Sequence, residues 1–389
     1  MKPDFDRIID RKDSLAIKYA RRKQVFGRED ILPMWVADMD FATPDFVLEA
    51  LRKRLEHPIL GYTHRPDSFF EAYRDWANKR YGWQVRTEWI SFSPGVVAAL
   101  ALAVLAYTRE GDKVIIQPPV YPPFFETVRG LGRQLVKNPL KRLDDGRYVM
   151  DFEDLMHKID DKTKLILISN PHNPVGRSWS SEELDQLARI CLDNGIKIIS
   201  DDIHADFIFS GSSYTPIASL SDEVANISLI ATSPSKTFNI PGLSTSVVII
   251  PNENMRKEYN EKLKAAHLFL GNIFGNIAFE EVYRRGEQWL EALLEYLEGN
   301  VDMVVDYLKE NVPAIKVWRP EATFLLWLDF SATGLEHNQI KDKLINEARL
   351  GFNDGLTFGC NGRGFFRMNI ASPRSVVRDA LERLKKVFG

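Results

Sequence analysis

The chain has 389 residues, too many for one simple core, so two domains are expected. Hydrophobic residues make up 44% and charged residues 27%, and a net charge of −3 with both signs interspersed excludes an electrostatic nucleic-acid surface or a polybasic membrane anchor. The two cysteines, Cys191 and Cys360, lie far apart without metal-ligand spacing, which excludes a disulfide framework, makes a zinc site improbable and fits a reducing cytoplasm.

The N-terminus "MKPDFDRIIDRKD" is too charged for a signal peptide, and the apolar run "VVAALALAVLAY" is too short to span a bilayer. A soluble, cytoplasmic protein binding neither nucleic acid nor membrane is therefore expected. The first 45 residues fit no regular pattern and are expected to wrap onto a second domain or a partner subunit. From about residue 89 to 250, short β-rich runs alternate with helical periodicity. "WISFSPG" leads into the helix of "VVAALALAVLAYTREGD", and "KVIIQPPVY" into a helical "FFETVRGLGRQL". "KLILISNPHNPVG" precedes "SSEELDQLARICLDNG", where Ser180 and Glu183 form a capping box. "KIIS", "SLIATS" and "STSVVII" complete the series. This is the pattern of right-handed βαβ units around a mostly parallel sheet, an α/β fold.

Beyond about residue 285 the style changes. The helical "EQWLEALLEYLEGNVDMVVDYLKENV" is followed by a mixed α+β segment containing "FLLWLDF", "GFFRMNIAS" and "VVRDALERLKKVFG". The expected division is a large α/β domain over 46–284 and a smaller α+β domain formed by 1–45 with 285–389.

In parallel sheets the ligand crevice lies beyond the C-terminal strand ends. Every polar candidate for chemistry falls there: Gly95, Tyr121, Asn173, Asp201 and His204, then Ser233 and Lys236. Within "ATSPSKTFNIPGL", Ser233 and Lys236 form the Ser-x-x-Lys pair of penicillin-binding proteins, but the companion motifs Ser-Asp-Asn and Lys-Thr-Gly are absent. The alternative is that Lys236 is itself the nucleophile, holding an aldehyde cofactor as a Schiff base, with its pKa lowered by apolar flanks. Pyridoxal phosphate also needs a carboxylate for its ring nitrogen, and Asp201 directly follows an apolar strand. Its phosphate needs backbone N–H groups at a helix start, which "SPGVVAAL" offers through Gly95, Val96 and Val97, with Ser233 as an added hydroxyl. Tyr121 in "PPVYPPFF" suits ring stacking, Asn173 the phenolic oxygen, and Arg367 in "GFFRMNIAS" a substrate carboxylate.

These motifs resemble the fold-type I pyridoxal-phosphate enzymes of the aspartate-aminotransferase superfamily, and within it the cystathionine β-lyase/cystalysin branch, the MalY/PatB family. The likeness runs from "ILPMWVADMDFATP" through "GYTHRP", "PPVYPPF", "SNPHNPVGRSW", "ISDDIHADF" and "SPSKTFNIPGL" to "RGFFRMNIASPRS". The resemblance implies that Lys236 and Tyr121 serve catalysis, and that Asp201, His204, Asn173, Ser233 and the Gly95–Val97 turn hold the cofactor. It implies that Arg367 and Ala37 meet the substrate, and that Tyr62 reaches the phosphate of a neighbouring subunit in a homodimer. Three departures stand out: Ser244 where many members carry a phosphate-binding arginine, His204 three residues after Asp201 in place of tyrosine, and Asp202 in place of glutamate. The first two favour the lyase branch. The resemblance implies a carbon–sulfur β-lyase for cysteine-type amino acids; an aminotransferase and a regulatory protein on the same scaffold are the alternatives. The polar segment after Tyr62, with His64 and Arg65, is one expected wall of the substrate pocket.

Overall fold

The computed structural model describes residues 3–389. Seven strands form the main sheet: β1 (Ile90–Ser93), β2 (Lys113–Ile116), β3 (Gln134–Lys137), β4 (Thr163–Ser169), β5 (Lys197–Asp201), β6 (Ser228–Thr232) and β7 (Ser246–Ile249). Their order across the sheet is β1-β7-β6-β5-β4-β2-β3. β7 is antiparallel to both neighbours and every other pair is parallel. The central strands are short apolar runs because both faces are covered. Side-chain alternation splits them between two cores: Ile166, Ile168, Ile198 and Ile230 face one side, Leu165, Leu167, Ile199 and Leu229 the other.

The helix Val96–Tyr107 is apolar nearly all round because it is sandwiched on that second side, where the Tyr107 hydroxyl donates to Met255 O (2.9 Å). One expectation is corrected. "FFETVRGLGRQL" is not one helix: the helix ends at Gly130, and Gln134–Lys137 becomes the edge strand β3. Gly132 at φ +73° turns the chain between them, a conformation that side chains rarely adopt.

A second, antiparallel sheet contains β8 (Lys316–Val317), β9 (Leu325–Asp329), β10 (Asn353–Asp354) and β11 (Phe365–Asn369), in the order β8-β9-β11-β10. The 25-residue helix Glu287–Asn311 buries Leu290, Leu293, Leu297, Val301, Val304 and Leu308, a stripe at helical spacing. The N-terminal segment lies along this sheet, with Leu32–Pro33 paired to Leu350–Gly351 and the Asp40 N–H donating to Ala371 O (2.9 Å). No helix among the described residues is long and apolar enough to cross a membrane.

The capping box read from the sequence is present. Ser180 Oγ accepts from the Glu183 N–H (3.2 Å), and Glu183 Oε2 accepts from the Ser180 N–H (3.0 Å) and from Arg177 Nη2 (2.7 Å). Replacing Ser180 with alanine is expected to cost about 1 kcal/mol, read as a lowered urea midpoint.

Candidate active site

β5 ends in Asp201, β4 runs out into the loop carrying Asn173, and β6 runs into Ser233 and a four-residue helix, Pro234–Thr237, that presents Lys236. The chain thus folds three strand ends to one place. They open on a cavity of about 270 Å³ lined by Ala37, Gly95, Val96, Val97, Tyr121, Asn173, Asp201, His204, Ser233 and Lys236. Of the residues that the resemblance assigns to catalysis, cofactor or substrate, Arg367 and Tyr62 are not in its wall. Arg367 stands directly behind Asn173, whose Oδ1 accepts from its Nη1 (2.9 Å). Tyr62 is 96% exposed and lies outside the cavity of its own chain.

Lys236 Nζ donates to Ala37 O (2.7 Å). Burial pulls its ammonium down to about 8, with Arg367 acting in the same sense and Asp38 and Asp201 opposing. At pH 7 roughly a tenth of such amines is neutral, against fewer than about one in a thousand for an ordinary lysine. The short helix is anchored from below: Thr237 Oγ1 donates to Asp206 Oδ2 (2.7 Å), and Asp206 Oδ1 also accepts from Trp76 Nε1 (3.0 Å) and the Tyr81 hydroxyl (2.6 Å).

Asp201 is buried, and the Ile203 N–H (3.2 Å) is its one hydrogen-bond donor among the described residues. Burial pushes its carboxyl up to about 7, against the pull of Ile203 and Lys236. The adjacent Asp202 is also pushed up to about 7, first by burial and further by Asp201, despite hydrogen bonds from Ser200 and Tyr214. Burial holds His204 neutral, well below its ordinary value, and its buried Nδ1 has no partner. Burial raises Tyr121, with Arg367 drawing it back.

Arg367 Nη2 donates to Trp35 O (2.9 Å) and Asn353 Oδ1 (2.6 Å), and its guanidinium lies 5.0 Å from the Phe358 ring centroid. Its buried Nε has no partner, and burial pulls the group down to about 10. Ser233 lines the cavity, where its hydroxyl donates to Thr245 O (2.8 Å) and accepts from the Ser235 N–H (3.1 Å). Ser244, which stands where many members carry a phosphate-binding arginine, lines this end beside the first turn of Val96–Tyr107, with Ser235 and Thr245, which were not foreseen in the sequence. A neutral cradle for a phosphate results, at the positive end of a helix. Arg65 is not a wall of this cavity: it lies 3.7 Å over the Phe92 ring and donates to Phe269 O (3.1 Å) and Leu270 O (2.9 Å). His64 is likewise absent from the lining.

A partly neutral lysine, a buried carboxyl group in no salt bridge, an anion cradle and an arginine with an unused N–H suit an aldehyde cofactor with a basic ring and a phosphate. Asp201, whose one hydrogen bond is from a backbone N–H, fits such a ring nitrogen. Comparisons with known proteins agree. Residues 29–384 match the aminotransferase class I and II family, and the chain belongs to it. It is 42% identical to cystathionine β-lyase PatB of Bacillus subtilis, over 98% of this chain and 99% of that one. Among solved structures, a pyridoxal-phosphate-bound protein from Clostridium difficile 630, described as an aminotransferase, superposes with a TM-score of 0.98 at 41% identity, covering 100% of both chains. Cystalysin from Treponema denticola, which contains pyridoxal 5′-phosphate, gives a TM-score of 0.96 at 34% identity over 100% of this chain and 99% of that one. The fold is that of the pyridoxal-phosphate-dependent aminotransferases, α/β with a mostly parallel seven-stranded sheet.

The raised Asp201 has a consequence for stability. Its ordinary carboxyl value is 3.8 and its folded value about 7, so the unfolded chain loses the proton first as pH rises. Stability from this group is therefore fully present at low pH and is lost between about pH 4 and 7. Cofactor-free Asp201→Asn should melt higher than the parent, by a margin that grows from pH 5 to 8. Calorimetry across that range checks it; a margin independent of pH would mean that Asp201 already has a counter-charge.

Proposed function

We propose that the chain is a pyridoxal-5′-phosphate-dependent carbon–sulfur β-lyase, converting L-cystathionine, L-cysteine or a related S-substituted cysteine to pyruvate, ammonia and a thiol. The observation that carries this reading is the buried Asp201 carboxylate facing Lys236 across one cavity, in a chain 42% identical along its length to a cystathionine β-lyase. When bound, the cofactor supplies the electron sink that lets the Cα–H bond break and a thiolate leave from Cβ. The remaining work falls to the chain. Lys236 Nζ would hold the cofactor and, as a neutral amine, would take the proton from the substrate Cα. Its lowered pKa provides the neutral amine both steps need.

Asp201 would hold the ring nitrogen protonated and would gain there the counter-charge it lacks in the chain. Asn173 presents its amide to the phenolic oxygen, and its Nδ2 donates to no other residue among those described. Tyr121 covers the ring and His204 meets it as a neutral imidazole. Arg367 takes the substrate carboxylate through the Nε–H that the protein leaves unused, with Ala37 beside it. The first turn of Val96–Tyr107 and the nearby hydroxyls bind phosphate by dipoles.

The same proposal includes a cytoplasmic homodimer. Tyr62 stands out in solvent with Leu55, Ile59 and Leu60 also exposed, and Leu268, Phe269 and Leu270 add further exposed apolar surface. A second copy covering this surface would receive the Tyr62 hydroxyl at its phosphate cradle. The proposal also divides the chain into a cofactor-binding part, 46–284, and a smaller part made of 1–45 with 285–389, in keeping with the two separate sheets. The family description favours a second reading, an aminotransferase, in which Lys236 returns the proton to the cofactor's aldehyde carbon.

Purified, cofactor-loaded protein should release pyruvate and ammonia from L-cystathionine whether or not 2-oxoglutarate is present, and Lys236→Ala should abolish this. Glutamate formed only with 2-oxoglutarate would replace the lyase with the aminotransferase. Arg367→Lys, which loses the planar donor fork, should raise KM roughly tenfold to a hundredfold with a smaller change in kcat.

A further inference from the structure

Residues 35–41 pass beside the cavity in neither helix nor strand, and side chains from elsewhere occupy most of their carbonyls. Arg367 donates to Trp35 O (2.9 Å) and Lys236 to Ala37 O (2.7 Å). Asn369 Nδ2 bridges Val36 O (2.6 Å) and Asp38 O (2.7 Å), and Asn239 Nδ2 bridges Met39 O (3.0 Å) and Phe41 O (2.8 Å). The segment's two carboxylates point the other way, into the N-terminal residues. Arg11 holds Asp38 (2.5 Å) and Asp40 (2.7 Å), and Lys18 holds Asp40 (2.6 Å), which also accepts from Ser372 Oγ (2.6 Å).

Lys18 is 0% exposed, a condition a lysine tolerates only when paired, and it takes no part in the cavity wall. Arg11 is likewise outside that wall. Two cations are thus spent on a strap that carries no catalytic side chain, yet whose backbone touches both cations of the active site. We propose that Lys18 and Arg11 are positioning residues: by clamping Asp40 and Asp38 they hold the 35–41 strap so that Ala37 O stays on the Lys236 amine and Trp35 O on Arg367. The inference rests on the reading of Lys236 as the cofactor lysine, but not on which reaction follows.

The test uses the full-length, cofactor-free chain. Acetic anhydride labelling of Lys236, quantified by mass spectrometry across pH, gives the midpoint of its titration. The charged groups acting on that amine are Asp38, Asp201 and Arg367, with the neutral His204 beside them. Removing a positive charge at residue 18 acts through space to favour the Lys236 ammonium and raise the midpoint. Losing the Ala37 acceptor acts oppositely. Lys18→Met is therefore expected to lower the midpoint by roughly one pH unit, the worth of a charged hydrogen bond, and Lys18→Arg to restore it. If Lys18→Met does not fold, Arg11→Met, at the outer side of the clamp, carries the same opposed signs and the same expectation. An unchanged or raised midpoint in a folded variant overturns the inference and leaves the clamp a purely structural one. Pyruvate assays on the loaded parent protein are read separately, so a failed lyase reading and a failed strap give different results.

Discussion

A carboxyl group in no salt bridge, at the buried end of the central strand, is the constraint around which this site is arranged. β5 delivers Asp201 into surroundings that penalise its charge, and the neighbouring Asp202 adds to that penalty. The hydroxyls of Ser200 and Tyr214 go to Asp202, so Asp201 is left with one backbone N–H. An apolar residue would suit the fold better, because a buried unpaired charge is among the costliest features a core can carry. On the proposed reading, the identity of residue 201 is explained by a basic ring that arrives from outside the chain.

The rest of the charge balance follows. Burial lowers both Lys236 and Arg367; at Lys236 the Arg367 guanidinium acts in the same sense, and Asp38 and Asp201 oppose it. A third cation, at the phosphate, would push the amine further toward neutrality and compete for the substrate carboxylate. On the proposed reading the phosphate is met by a helix start and hydroxyls, with Ser244 where superfamily members often carry arginine. The two cations are then reserved for the amine chemistry and the carboxylate.

Local physics explains how much of this was legible in the sequence. Six of the seven main strands are apolar runs bounded by turn residues, and their C-terminal ends locate the crevice before any coordinates are known, so Asn173, Asp201, Ser233 and Lys236 could be grouped from one chain. β3 escaped because its edge position leaves it partly exposed and its residues continue a helical pattern past Gly130 and Gly132. The strap escaped for a different reason. Its order comes from bonds between residues 35–41 and residues about 200 and 330 positions away, through Lys236, Asn239, Arg367 and Asn369, and from ion pairs to Arg11 and Lys18. No periodicity records such contacts. The direction of the Ser233 hydroxyl was equally invisible, because Thr245 O competes for its proton only after β7 has folded beside β6.

On the proposed reading, a lyase and an aminotransferase would use the same residues, and the physical reason bears on where function resides. Both would begin with Lys236 Nζ removing the same proton, and they would part over where that proton goes. A substrate with a thiolate leaving group at Cβ offers an exit that an ordinary amino acid does not, and expulsion then competes directly with reprotonation. On the proposed reading the outcome is decided less by the amine than by which side chain is admitted while Arg367 fixes the carboxylate. The guanidinium is pinned between Asn173, Trp35 O and Asn353, and on that reading it would set one end of the substrate rigidly. Selectivity must then come from what surrounds the other end, and Arg65 is already committed to Phe92 and the carbonyls of residues 269 and 270. The exposed segment around Tyr62 can therefore act on a substrate only across a subunit boundary, so the proposed dimer and the proposed specificity are one question and not two.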